Sequence, residues 1–382
     1  MIIQEKKNPQ EIIEFDGTYP KKSLPVDVVE IFQTPLTGSY NWDYTVQDNR
    51  IRKLYDLGKK LNWDVEVDVD WTPDFIGMQD EEFDFEDNQW ANHPVYKTWD
   101  KDKKIAFLND MNSWAVSQFL HGEQGALLVA SQLASCAPTF NAKLYAASQT
   151  FDEARHVECF NKYIQTRLRK SWPIGRALKG LLDKILTDER WDLKFIGMQI
   201  IIEGLALAAF TNMKLSARDP LLKTLLHYVI RDEARHVTFG INYLEDFVKT
   251  LSPEEVEDRA QFAYEACVIS RDRLINTKAM QKYLKMSDDE VREFQLGNGA
   301  MDQFRSFLFS RVMPNLKKIG LLTDSVRPKY EELGILEYEH APSDFEIDWA
   351  EITKPLESSD QVKAESDAML AEIVKAQEAA NS

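Results

Sequence analysis

Three cysteines occur in 382 residues, Cys136, Cys159 and Cys267, and no two stand in CxxC spacing. So few thiols, odd in number, exclude a disulfide framework and a thiolate zinc or iron–sulfur site, and predict reduced thiols in the cytoplasm. Basic residues are also short: 46 Lys and Arg face 63 Asp and Glu, for a net charge of -17 and a pI of about 4.9. A chain this acidic is repelled by phosphate backbones and anionic lipid surfaces, so no nucleic-acid partner is expected. No uninterrupted apolar run of about 18 residues appears, so no membrane insertion is expected. The opening Met1–Pro20 stretch is charged and lacks the apolar segment of a signal peptide. What remains is a chain with 44% hydrophobic and 29% charged residues, long enough to bury a large core as one large domain or two ordinary ones.

Histidine is scarce too, yet two of the six lie in a repeated pentapeptide. Asp152-Glu153-Ala154-Arg155-His156 returns as Asp232-Glu233-Ala234-Arg235-His236, 80 residues on. Glu123 precedes Glu153 by 30 residues, and Glu203 precedes Glu233 by the same 30. Glu-x-x-Ala-Leu recurs at Glu123–Leu127 and Glu203–Leu207, and Tyr163 pairs with Tyr243 at the same offset. A single E-A-R-H on a helix face is common and usually solvated. Two copies on apolar-rich helices, each with a glutamate at identical distance, are the ligand set of a dinuclear metal site in a four-helix bundle.

The spacing explains the chemistry. Residues i and i+3 of a helix lie about 60° apart around the axis and about 4.5 Å apart along it, so Glu153 and His156 reach one metal and Glu233 and His236 another. Glu123 and Glu203 complete one site each, with some carboxylates bridging. Oxygen and imidazole donors suit iron or manganese better than copper. Four carboxylates neutralise two divalent ions; without metal they repel one another and take up protons. Asp152 and Asp232 are read as partners of the outer ring nitrogen of a metal-binding histidine, on their own helix or the facing one, with Arg155 and Arg235 keeping them ionised. His121 and His227 fall off this face and read as structural. Gln149 and Gln199, each one turn before a ligand glutamate, are the expected polar neighbours of the site. Phe119, Ala126, Leu127, Phe160, Ala206, Leu207, Phe210 and Phe239 form its expected apolar lining, and Tyr145, Tyr163 and Tyr243 are expected as buried, hydrogen-bonded tyrosines.

Helical periodicity places these residues on four long helices over about 103–135, 138–169, 188–215 and from Asp219-Pro220 onward, with a crossover helix at about 173–186. Asp219 reads as an N-cap, and Ser252-Pro253-Glu254-Glu255 and Ser287-Asp288-Asp289-Glu290 read as capping boxes opening helices at about 253–276 and 288–317. The organisation expected is an irregular N-terminal arm over 1–100, helical only near 40–61, whose tryptophans pack on the core. A helical metal domain follows over 101–320, then an acidic extension over 321–382 with a last helix near 360–378.

At these motifs the chain resembles the ferritin-like superfamily of carboxylate-bridged di-iron proteins, and most of all the hydroxylase subunits of bacterial di-iron monooxygenases. The small subunit of ribonucleotide reductase and the acyl-carrier-protein desaturases are relatives. The resemblance covers about residues 103–250. It implies an all-α, ferritin-like four-helix bundle with additional helices, holding two Fe ions that activate O2, the co-substrate, toward a C–H, C=C or N–H bond. It further implies a small, largely apolar organic substrate, electrons from an external reductase or ferredoxin, and a homodimer. Phe160 stands where the reductase subunits carry their radical tyrosine, and Leu207 where the multicomponent hydroxylases carry a threonine. Val229 stands where N-oxygenase relatives carry an extra histidine. The alternatives are a ferroxidase or peroxide-scavenging protein, and a ligand-binding oxidase with a manganese–iron pair.

Overall fold

The computed structural model describes residues 11–20, 30–46, 48–77, 84–86, 88, 90–272, 276–296 and 299–346. Its architecture is all-α. Helix α1 (Asn49–Lys60) and a single turn, α2 (Pro94–Lys97), precede α3 (Lys101–Cys136) and α4 (Phe140–Tyr163). Then come α5 (Arg176–Thr187), α6 (Trp191–Phe195), α7 (Glu203–Ser216) and α8 (Pro220–Val248). Peripheral helices α9 (Pro253–Asp272), α10 (Thr277–Leu284), α11 (Asp288–Leu296), α12 (Gly299–Lys318) and α13 (Arg327–Glu332) follow. The bundle consists of the pairs α3–α4 and α7–α8, joined through α4 against α8, with α1 lying across α4 and α8.

The caps sit where the sequence places them. Asp219 accepts from the Leu221 N–H with Pro220 in the first turn. Ser252 and Glu255 exchange both capping-box bonds, and so do Ser287 and Glu290. Several features differ from the periodicity. The third long helix is not continuous α: α6 passes through a π segment, Ile196–Ile202, directly into α7, and Glu203 is the first residue after it. A second π segment, Ile164–Leu168, ends α4 at Arg169, whose φ is 55°. Wide turns of this kind often mark functional sites, and here the shift sets the register at which Glu203 enters the bundle. The stretch expected as one helix over 288–317 is helical as α11 and α12 on either side of residues 297–298, which lie outside the described residues, and α10, N-capped by Asn276, has no counterpart in the sequence reading.

Over 40–61 the helix is limited to α1; Tyr40, Trp42 and Tyr44 are exposed in a segment without regular structure. Trp63, Trp90 and Trp99 are buried, as their size demands, whereas Trp42 is 73% exposed. Trp90 and Trp99 pack with Phe107 and Leu108 of α3 and Met280 and Leu284 of α10. Trp63 packs with Phe160 and Phe210 beside the bundle. Antiparallel strands β1 (Ile13–Glu14) and β2 (Lys170–Ser171) tie the start of the chain to the segment after α4. The last helix expected near 360–378 lies outside the described residues. The helix spanning Trp191–Ser216 is long and apolar enough to cross a membrane, but its most apolar 18-residue window is wholly buried inside the protein.

Close packing around the site depends on one glycine in particular. A Cβ at Gly240 of α8 would lie 2.5 Å from the Gln199 Cβ, a rigid part of a buried side chain. Gly240→Ala is expected to cost roughly 1–3 kcal/mol through overpacking. Chemical denaturation checks this, and an unchanged midpoint would contradict the tight approach of α8 to the π segment.

Candidate metal centre

The four long helices deliver Glu123 (α3), Glu153 and His156 (α4), Glu203 (α7), and Glu233 and His236 (α8) to one buried point in the bundle. Their donor atoms fall into two overlapping clusters, Glu123–Glu153–His156–Glu233 and Glu153–Glu203–Glu233–His236, each with all ligand atoms within 4.8 Å of one another. Glu153 and Glu233 belong to both. His156 Nδ1 lies 3.1 Å from Glu123, 3.3 Å from Glu153 and 3.0 Å from Glu233, while His236 Nδ1 lies 3.2 Å from both Glu153 and Glu233. One ring nitrogen cannot hydrogen-bond three carboxylates at once. Consistent with that, Glu153 Oε2 and Glu233 Oε1 are buried without a hydrogen-bond partner. Oxygens left over around imidazole nitrogens fit two cations, so these six residues could hold a metal pair.

The outer nitrogens are wired across the bundle. His156 Nε2 lies 3.2 Å from Asp232 of α8, and His236 Nε2 lies 3.3 Å from Asp152 of α4. Of the two options left open by the sequence, each aspartate therefore serves the facing helix. Arg235 donates to Asp152 (2.9 Å) and Asp232 (2.7 Å), and Arg155 donates to the same two carboxylates. Asp232 also accepts from the Trp63 indole N–H at 2.7 Å, and Arg155 donates to Asn62. Asn62 and Trp63, just beyond α1, were not recognisable as site residues. Nothing in their spacing connects them to motifs 90 or more positions away.

The repeat is symmetric in its ligands and asymmetric in its surroundings. Gln149 Nε2 lies within hydrogen-bond distance of Glu153 (2.9 Å), Gln199 (3.1 Å) and Glu203 (3.3 Å), its two N–H groups shared among them, and Gln199 Nε2 donates to Gln149 at 2.7 Å. The repeat-equivalent positions, 149 + 80 and 199 − 80, are Val229 and Phe119. The Glu203 side is thus an amide network, and the Glu123 side is apolar. There Phe119 meets Phe210 at 4.7 Å and Phe160 at 6.2 Å between ring centroids, in one cluster with Ala206 and Val229. Ala126, Leu207 and Phe239 belong to the larger core cluster, while Leu127 is half-buried and belongs to neither. Tyr163 donates to Asp219 at 2.8 Å. Tyr145 departs from expectation: its hydroxyl is buried with no hydrogen-bond partner. His121 bonds the Trp172 carbonyl at 2.8 Å, as a structural histidine does.

Charge at the centre is strained in the absence of metal. Burial, reinforced by the charge of Glu233, pushes the Glu123 and Glu203 carboxyls well above the usual range. Burial opposes the charged imidazoles but is outweighed by the surrounding carboxylates, which raise His156 and bring His236 to about 10. Burial likewise opposes ionised Asp232, yet Arg235, His156 and Arg155 hold it well below the ordinary value. The raised groups keep protons in the folded chain that the unfolded chain has already released. Their contribution to the stability of metal-stripped protein is therefore full below about pH 4.5 for Glu123 and Glu203 and about 6.5 for the histidines, and is lost as pH rises through their raised values, about 10 for His236. Metal needs those same ligands deprotonated, so its affinity rises with pH. The melting-temperature gap between loaded and stripped protein is expected to widen from about pH 6 to about pH 8.5, and a constant gap would count against this proton inventory.

Residues 45–320 match the family described as P-aminobenzoate N-oxygenase AurF. No curated protein matches the chain. Among solved structures, a point mutant of an R2-like ligand-binding oxidase with aerobically reconstituted Mn/Fe cofactor aligns at 17% identity. That alignment covers 73% of this chain and 96% of the other, with a TM-score of 0.46. An R2-like ligand-binding oxidase with aerobically reconstituted metal cofactor after photoconversion aligns at 18% identity, covering 73% and 95%, with a TM-score of 0.45.

Proposed function

The chain belongs to the P-aminobenzoate N-oxygenase AurF family and is an O2-activating di-iron oxidoreductase; from that premise we propose how its parts are used. Glu123, Glu153, His156 and Glu233 hold one metal ion, and Glu153, Glu203, Glu233 and His236 hold the other. The observation that carries this reading is the sharing of Glu153 and Glu233 by both clusters, which draws two cations into one centre. When bound, the metal pair, two irons or a manganese with an iron, supplies O2 activation. The protein's own residues then do three things. Asp152 and Asp232 take the Nε2–H of the facing histidine and leave Nδ1 directed at the carboxylates. Arg155 and Arg235 keep both aspartates ionised. The phenylalanines on the Glu123 side, packed on one another, exclude water from the centre and make that side apolar.

The substrate proposed is a small aromatic compound bound on that Glu123 side. The family's name supports an aromatic amine oxygenated at nitrogen. A second reading, oxygenation at carbon, is favoured by Val229, a buried apolar residue at the position where N-oxygenase relatives carry an extra histidine. Electrons come from a reductase or ferredoxin outside this chain, and the superfamily resemblance supports a homodimer built around residues 101–320.

The test is metal analysis of protein expressed with iron and manganese both present, followed by oxygen uptake with p-aminobenzoate and with apolar aromatic analogues. Two irons per chain and substrate-dependent uptake are expected, and the product separates nitrogen from carbon oxygenation. Iron(II) oxidation indifferent to every aromatic would favour the ferroxidase reading. Protein that takes up no metal would overturn the site.

A further inference from the structure

An apolar stripe lies open along one side of the bundle. Tyr40 is 86% exposed, Trp42 73%, Tyr44 61%, and Phe151, on the central helix α4, 59%. The first three belong to the arm before α1, and that arm is tethered. The Ser39 N–H donates to the Ser135 carbonyl at 3.1 Å, and the Asn41 amide donates to the Pro138 carbonyl at 3.0 Å. Gly38 permits this approach to the end of α3, since a Cβ there would fall 2.8 Å from Ser135 Oγ. The rings are therefore held outward by a fixed backbone. Tyr40 stacks on Trp42 at 5.0 Å, and Tyr44 meets Phe140 of α4 edge-on at 4.9 Å. From Phe140 the stripe continues through Leu144 and Ala147 to Phe151, spaced i, i+4, i+7 and i+11 on one side of the helix. Phe151 borders a groove of about 440 Å³ whose lining includes Tyr55 of α1 and Asp152. Its ring also lies 5.0 Å from the Arg155 guanidinium that binds Asp152 and Asp232.

We propose that a second copy of this chain docks on the stripe, in an isologous dimer where the arm of each copy lies along α4 of the other. Area supports this occupant. At about 200 Å² per ring, the four exposed rings leave roughly 500–600 Å² open, more than scattered apolar residues leave on a monomer. Counted on both copies that is roughly 1,100 Å², close to the lower end of a stable specific interface before Leu144 and its neighbours add to it. A twofold contact needs a face that matches itself, and a stripe with open rings at both ends does so: Trp42 of each copy meets the Phe151 end of the other. Charge permits the approach. Two chains of net charge -17 repel over much of their surface, but on this rim the bases of α1 are matched by acids. Arg52 and Lys59 pair with Asp56, and Arg50 pairs with Asp48 and Asp246. Docking closes the groove and takes water away from Asp152, the carboxylate that holds His236. The inference rests on the homodimer and the metal centre proposed above and adds the face that joins the copies.

The experiment is sedimentation of the metal-loaded full chain from nanomolar to micromolar concentration. A dimer is expected for the wild type, weakened by roughly thirtyfold or more in Trp42→Glu and in Phe151→Glu, each of which removes an aromatic anchor and brings an unpaired carboxylate to the contact. Both positions are exposed, so circular dichroism should show unchanged helix content in the dissociated variants. Val95→Glu, at an exposed residue of α2 by the start of α3 and so at the far end of that helix from the arm, should dimerise like the wild type. Trp42→Glu, whose side chain lies outside the groove, should in addition surrender metal to a chelator several-fold faster where it is monomeric. A wild type monomeric at every concentration would overturn the proposal, whether another protein or residues 347–382 of the same chain cover the stripe. Dimerisation equally tight in all three variants would remove this face and leave the homodimer standing. Metal release unchanged by dissociation would overturn the closure of the groove. Protein that dimerises as expected yet binds no metal would sink the metal centre and leave the interface intact.

Discussion

Glu233→Ala is expected to lose both metal ions and at least about a thousandfold of activity, since the chemistry resides in the metal pair. Glu233 belongs to both donor clusters, and removing it takes a carboxylate from each and leaves three carboxylates for two divalent ions. Glu203 belongs to one cluster only. Glu203→Ala should therefore shed the ion on the His236 side and keep the other, whose four donors are intact. Elemental analysis of metals per chain separates the two outcomes. Both variants should remain helical, because taking out one buried carboxylate lowers the mutual repulsion that raises Glu123 and Glu203 in stripped protein. A Glu233→Ala protein holding two metals and reacting with O2 would refute the shared-ligand assignment.

The second large effect is on stability. Asp232 is fully buried and accepts from Trp63, Arg155 and Arg235 while holding His156. Asp232→Ala leaves two buried guanidiniums sharing only Asp152, an indole N–H without acceptor and an imidazole free to turn. Breaking such a network by removing one partner typically costs about 3–5 kcal/mol, because the penalty is the uncompensated charge left behind. A fall of roughly 5–15 °C in melting temperature is expected. Trp63→Phe removes one neutral donor from the same carboxylate and should cost about 1 kcal/mol. The two changes should be less than additive, since the indole bond is already lost once Asp232 is gone. Metal affinity should also fall roughly 10–100-fold in Asp232→Ala, as His156 loses the partner that orients it. Equal melting temperatures for Asp232→Ala and wild type would show that the arginines find other partners.

What the sequence determined by itself is everything that depends on spacing within a helix or between repeats. Glu153 with His156, and Glu233 with His236, are one turn apart, and helix geometry alone places each pair on one face. The 30-residue lead of Glu123 and Glu203 and the 80-residue repeat imply four helices converging on one centre, and the structure brings all six residues together there. Capping signals at Asp219, Ser252 and Ser287 are equally local, so they too were legible.

The tertiary structure decided the pairings between distant segments. Asp152 could have served the histidine of its own helix; it serves His236 because both Nδ1 atoms turn toward the central carboxylates and both Nε2 atoms toward the opposite helix. Trp63 reaches Asp232 across 169 residues, and Asn62 reaches Arg155 across 93, contacts that no periodicity encodes. The π segment before Glu203 was hidden as well. Its sequence, Ile196 to Ile202, is apolar at nearly every position, so no hydrophobic stripe exists from which a change of helical period could be read. Local spacing chose the chemistry, and packing at long range chose which groups orient it, because the energy of a buried charge depends on every helix that surrounds it.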